Sequence, residues 1–328
     1  ASSSPEADEA IKRLELKMKQ IEQVERSLAL GGQNGRSPAF LLQLELGEWG
    51  KTAISYGNPD EADNIAVYVP GTGTKLESFA GDAERAVLTW DQASVSASGK
   101  KIASIAWLGY EAPQWSMTLE LPPENNHTVI NMKAAEAGAS KLSSFTDGLH
   151  AAHRPGIDIR LTVLGHSYGS TVTGLAAMSR PKTFADQVIL VGSPGVGAMK
   201  AKELGVDSVW VGEAPNDPVG DIGLLPKKKA FLSLLPGIPF GTAIFSLIST
   251  VRTITNTTGP LGPDPSIKQF GANQFYVRDS GHPAYTFKGH SSYWDRRSES
   301  LYNIGLLING KYDMLISLPD QSPHPQTS

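Results

Sequence analysis

Cysteine is absent from all 328 residues, so the chain can use no disulfide, no thiolate metal site and no cysteine nucleophile. Positive charge is not in excess either. The formal charge is −4 at pH 7, which offers no electrostatic case for binding a phosphate backbone, and nucleic acid is set aside as a partner. No H-E-x-x-H or comparable ligand cluster occurs, and neither G-x-G-x-x-G nor a P-loop is present. No metal and no cofactor are therefore expected.

Long uncharged runs are scarce. One could be mistaken for a membrane span, the 22 residues from Ala230 to Val251 directly after Lys227, Lys228 and Lys229. Pro236, Gly237, Pro239 and Gly241 lie near its middle, where they would free backbone groups that lipid cannot satisfy. It reads as two short apolar pieces around a turn, with no integral span. The lysine triplet reads as a solvated helix start, and an interfacial contact with lipid is its alternative. The chain opens ASSSPEADEA without a methionine, the pattern of a trimmed end or of one left by signal cleavage, and the second would suit a secreted or envelope-associated protein.

What is present describes an ordinary globular chain, 40% hydrophobic and 19% charged, long enough to bury a sizeable core. Residues 6–30 are highly charged, with Ile11, Leu14, Met18, Ile21 and Leu28 at three- and four-residue spacing. That is a helical stripe, expected to pack on the body because Glu25 interrupts it. The stretch GGQNGRSP (Gly31 to Pro38) is a linker by composition. Residues 1–38 thus read as a charged helix and linker, and 39–328 as the compact domain.

From Ala39 the pattern changes to strands. FLLQLEL and KTAISYG flank GEWG and predict a hairpin. Short apolar runs then recur at 64–71, 102–109, 159–165, 187–195 and 206–213, and their continuous hydrophobicity predicts strands covered on both faces. Residues 133–153 and 168–180 read as crossover helices, 274–279 as the last strand, and 291–308 as a final helix. The fold class is α/β, a mostly parallel doubly wound sheet with helices on both faces.

The strand IRLTVLG runs directly into His166, Ser167 and Tyr168, and the small-residue helix GSTVTGLAAMS follows. G-x-S-x-G in a strand–turn–helix context is a nucleophile elbow, in which Gly165 and Gly169 let strand and helix approach around a strained serine. Ser167 needs a base to take its proton, and that base needs a carboxylate to fix its tautomer. With such an elbow the order along the chain is Ser, Asp or Glu, His. Asp217, beyond the strand VDSVWVGE, is the favoured acid, with Asp221 and Glu213 as alternatives. Asp207 begins that strand and lies at the wrong edge. Of seven histidines, His127, His150 and His153 precede the serine, His166 is aimed away by the sharp turn and His324 lies in a polar tail. His282 and His290, after the last strand, remain, and His290 is favoured because it directly precedes the final helix. The oxyanion hole is assigned to the backbone N–H of Tyr168 and, from the loop VPGTGT, of Thr72.

Together AISYGNPDEADNIAVYVPGTGT, IAWLGYEAP, VLGHSYGSTVTGLAA, GPDPSIKQFGANQF and GHSSYWD resemble, in order over about residues 40 to 300, an α/β-hydrolase family common in actinobacteria. The resemblance implies an α/β-hydrolase fold and a serine hydrolase with nucleophile Ser167. It places the catalytic histidine in the His-Ser-x-Tyr block, which is His290, and supports Asp217 less firmly.

The long interval between Asp217 and His290 suggests an apolar lid or cap within 218–285. Leu235 and Phe240 of that stretch, with Gly71 and Tyr110, are the expected substrate-binding residues. A small uncharged ester with an apolar acyl or alkyl group is the expected substrate, cleaved through an acyl-serine. The alternative is a catalytically silent scaffold that serves as a binding or envelope-associated module.

Overall fold

The computed structural model describes residues 4–114, 132–153, 158–215, 217, 219, 261–282 and 288–318. Every position of β3 (Asn64–Val69), β4 (Ile102–Leu108) and β6 (Gln187–Val191) is buried. The reason is visible in β3, where Ile65, Val67 and Val69 enter one core and Ala66 and Tyr68 another on the opposite face. A strand with helices on both sides has no face turned to solvent.

Among the described residues eight strands form one sheet, in the order β1 (Ala39–Glu45), β2 (Lys51–Tyr56), β4, β3, β5 (Arg160–His166), β6, β7 (Ser208–Gly212) and β8 (Asn273–Gln274). β1 (Ala39–Glu45) and β2 (Lys51–Tyr56) make the predicted antiparallel hairpin, from Ala39 opposite Tyr56 to Glu45 opposite Lys51, with a register shift between Leu41 and Gln43. β2 is also antiparallel to β4, and every pairing from β4 through β3, β5 (Arg160–His166), β6, β7 (Ser208–Gly212) and β8 is parallel. The expected last strand at 274–279 shrinks to β8 (Asn273–Gln274), paired with Trp210 and Val211.

Helices α3 (Lys133–Ala152) and α4 (Tyr168–Ser179) contribute to the core on one face of the sheet. On the other face lie α2 (Ala80–Val95) and α5 (Glu299–Ile308). The final helix differs from expectation. A 3₁₀ turn over Gly289–Trp294 comes first, the chain then turns through Arg297 at φ 65°, and Ser298 caps α5 by accepting the Leu301 N–H at 3.2 Å. Ser298 is a strong N-cap, and that cap ends the possibility of one continuous helix.

α1 (Pro5–Leu28) lies on the body by a different stripe from the one its hydropathy predicts. Ile11, Leu14 and Met18 are 50%, 62% and 69% exposed, while Gln20, Val24 and Ser27 are buried. The anchor is polar: the Gln20 amide donates to the Gly47 carbonyl at 2.6 Å and accepts the Gly47 N–H at 3.0 Å. Tyr56 adds a hydrogen bond to the Ser27 carbonyl at 2.8 Å. The segment from Gly31 to Pro38 is also tied down, because Arg36 makes a bidentate pair with Asp91 of α2, both bonds 2.7 Å.

Candidate active site

Ser167 is the single residue between the end of β5 and the start of α4, and its backbone sits at φ 55°, ψ −133°. A non-glycine residue tolerates that conformation only where surrounding structure enforces it. The enforcement comes from close approach. A Cβ on Gly169 would lie 2.2 Å from the Val69 carbonyl oxygen and 2.6 Å from that of Pro70, so only glycine lets the start of α4 meet the end of β3. The Ser167 N–H donates to the Val191 carbonyl at 3.0 Å, and its own carbonyl accepts from Ser170 N–H at 2.9 Å.

The loop after β3 reaches the serine directly. Gly71 is so close that a Cβ there would stand 2.5 Å from Ser167 Cβ and 2.9 Å from Oγ. Thr72 follows in the same loop, and the Gly73 N–H donates to the Pro113 carbonyl at 2.7 Å. Tyr110 is enclosed, donates its hydroxyl to the Pro70 carbonyl at 2.7 Å and stacks on Trp107. Its hydroxyl is thus spent on supporting the loop. Tyr168 begins α4, and its hydroxyl accepts the Ala135 N–H at 3.2 Å.

Asp217 and His290, 73 residues apart, meet side by side: His290 Nδ1 is 2.8 Å from Asp217 Oδ2. The carboxylate accepts, so Nδ1 carries the proton and Nε2 is left as the acceptor. The Asp217 side chain has no solvent exposure. Burial alone would raise its pKa, but the neighbouring His290, the Tyr293 hydroxyl and the Val219 N–H together hold it below the usual carboxylate value. Asp207, the acid set aside, lies beside Asp147 and Asp186 near the opposite ends of the strands. His282 is exposed. Asp221, Leu235 and Phe240 fall outside the described residues, as does most of the expected cap.

Two residues that the sequence did not single out complete the surroundings. Tyr293 donates its hydroxyl to Asp217 Oδ2 at 2.6 Å and accepts the Ala214 N–H at 3.1 Å. The signal for it was the spacing, since three residues per turn in a 3₁₀ turn put 290 and 293 on one side. His166 stacks on His290 with ring centroids 4.7 Å apart. Its Nε2 is 2.8 Å from the His290 carbonyl oxygen, which fixes the proton on Nε2, and its Nδ1 faces Arg85 Nη1 at 3.5 Å. Burial, then the nearby His290 and Arg85, push the His166 pKa well below 6.5, against the opposing carbonyl bond. It is a neutral ring at working pH.

A family model described as alpha/beta hydrolase matches residues 47–226. The chain belongs to that family. An uncharacterised Mycobacterium tuberculosis protein is 30% identical over 294 residues, 86% of this chain and 40% of that protein. The chain therefore spans about two fifths of that relative's length. An uncharacterised Mycobacterium bovis protein is 32% identical over 162 residues, 47% of this chain and 56% of its own. Among solved structures, the carboxylesterase EstE1 from a metagenomic library overlays on 91% of this chain and 97% of that one, at 14% identity and a TM-score of 0.42. Likeness at that level adds nothing to the family assignment. Among the described residues of this alpha/beta hydrolase there is no cluster of three His, Cys, Asp or Glu side chains suited to a metal. Nor is any helix among them long and apolar enough to cross a membrane.

Proposed function

We propose that this α/β-hydrolase chain is a serine hydrolase that cleaves uncharged carboxylic esters through an acyl-serine intermediate. One observation carries the reading: a buried carboxylate, Asp217, holds the Nδ1 of His290 at 2.8 Å, and the His290 ring stacks on His166, the residue before a serine at a strained elbow. A buried His–Asp pair has no need of such a serine for stability. Its use is chemical.

His290 Nε2 takes the Ser167 Oγ proton as Oγ bonds to the ester carbonyl carbon, and the carbonyl π electrons move onto oxygen. The N–H groups of Tyr168 and Thr72 receive that oxyanion. The tetrahedral adduct then collapses, the carbon–oxygen bond to the alcohol breaks, and the imidazolium returns its proton to the leaving alkoxide. Water, deprotonated by His290, attacks the acyl-serine, and the acid and free serine are released. Asp217 stays ionised throughout and stabilises the imidazolium. A thioester or an amide would use the same machinery.

The preference for an apolar acyl or alkyl group rests on the sequence of 230–251, with Leu235 and Phe240 as proposed wall residues. A cap within 218–285 and interfacial lipid contact belong to the same proposal. Hydrolysis of a chromogenic ester series from short to long acyl chains, neutral and charged, tests both parts. Ser167→Ala and His290→Ala are expected to lower kcat at least about 10³-fold, and Asp217→Ala about 10²- to 10⁴-fold. A folded native protein that turns over no ester, thioester or amide points to the silent binding scaffold.

A further inference from the structure

The proposed acid makes one hydrogen bond more than its task requires. Asp217 Oδ1 accepts the Val219 N–H at 3.0 Å, which fixes the carboxylate plane, and Oδ2 accepts His290 Nδ1–H at 2.8 Å. Oδ2 accepts a second bond, from the Tyr293 hydroxyl at 2.6 Å. The tyrosine cannot turn away, because its oxygen is held by the Ala214 N–H at 3.1 Å and its ring is wholly buried. The 3₁₀ turn Gly289–Trp294 delivers His290 and Tyr293 to the same oxygen.

Taking Asp217 and His290 as the acid and base proposed above, we infer that Tyr293 is a positioning residue that tunes the base through the acid. Its hydroxyl draws negative charge away from Oδ2, so the carboxylate holds the imidazolium less tightly and His290 stays unprotonated, ready to act as base, to lower pH. Without the hydroxyl, Val219 still fixes Asp217, and the whole of Oδ2 faces the imidazole.

The surrounding charges leave this bond in place over the working range. Burial, with the negative charges of Glu213 and Asp217, pushes the Tyr293 phenol well above its ordinary value, so it remains a proton donor. From the other side His290 faces the neutral His166, with the Arg85–Asp82 ion pair of α2 beyond it at 3.0 Å. None of these groups competes for Asp217 Oδ2 as directly as Tyr293 does.

The test is the titration of the His290 imidazole by NMR in ring-labelled protein, with the kcat/KM pH profile measured in parallel, for native protein and Tyr293→Phe. The expected result is a rise of about half to one pH unit in the His290 midpoint, with the acidic limb of kcat/KM moving by the same amount. A fluorinated tyrosine at position 293, a stronger donor of nearly the same shape, is expected to move the midpoint down, and it keeps the test open if Tyr293→Phe does not fold. Midpoints unchanged in both variants overturn the inference. A shifted midpoint in a protein that turns over no ester, thioester or amide upholds the coupling and overturns the hydrolase reading instead.

Discussion

The imidazole of His166 lies against that of His290, ring centroids 4.7 Å apart and planes 29° from parallel, and its Nε2 donates to the His290 carbonyl at 2.8 Å. The residue before the elbow serine thus anchors the backbone of the proposed base, while Asp217 holds its ring. Trp294 closes the arrangement edge-on to His166 at 5.2 Å and donates its Nε1–H to Thr89 Oγ1 at 3.0 Å.

The neutral state of His166 has a consequence for stability. Its folded pKa is depressed while the unfolded chain titrates near 6.5. Above about pH 6.5 neither state binds this proton, and below it only the unfolded state does, so stability falls as pH drops below about 6.5 toward the depressed folded value. The limiting slope for one proton is about 1.4 kcal/mol per pH unit. Urea unfolding of native protein between pH 7.5 and 5 is expected to show this loss, and His166→Asn, lower in stability overall, a flatter dependence. Asp217 acts in a separate window, since a carboxylate with a lowered pKa loses its contribution only below about pH 4.

Gly192 lies under the acid–base pair at φ 54°. A Cβ there would stand 2.7 Å from Asp217 Oδ2 and 2.8 Å from His290 Nδ1. Gly192→Ala is expected to cost about 1 kcal/mol from the left-handed backbone. By forcing the pair apart it is also expected to lower kcat by about 10²-fold in a protein that still folds. Ester kinetics beside circular dichroism check this.

The Gly71 contact with Ser167 makes a similar prediction for the nucleophile. Gly71→Ala puts a methyl 2.5 Å from Ser167 Cβ, so the loop must withdraw and carry Thr72 with it. Covalent labelling by a fluorophosphonate is expected to slow by about 10²-fold while the melting temperature changes little.

Much of this was legible in the sequence, and the exceptions have physical reasons. Continuous apolar runs fixed the buried strands because helices cover both faces, and G-x-S-x-G gave the elbow because only glycine fits at 165 and 169. The order Ser, Asp, His restricted the partners to residues that the fold does bring together as a pair, Asp217 and His290. The docking face of α1 was not legible, because hydropathy ignores a polar anchor such as Gln20 on Gly47. His166 read as pointing away from the site because spacing along the chain says nothing about which side of the elbow a ring occupies. Tyr293 was hidden because its role needs a 3₁₀ turn in a stretch that read as α-helix.

Arg36 offers a test of how the first helix is held. Its bidentate pair with Asp91 is only partly exposed, 14% and 32% for the two side chains. Arg36→Ala is expected to cost about 1 kcal/mol, about 2 °C in melting temperature, and to speed proteolytic cleavage between Gly31 and Pro38. Ester kinetics should not change.

Ser167, made nucleophilic by His290, is the residue proposed to take the acyl group. Mass spectrometry of the protein after reaction with a fluorophosphonate probe tests it most directly, with native protein, Ser167→Ala and His290→Ala treated in parallel. A single adduct on the peptide containing Ser167, absent in Ser167→Ala and formed at least about 10³-fold more slowly in His290→Ala, is the predicted result. An adduct on another residue, or equal labelling of native protein and His290→Ala, would contradict the account.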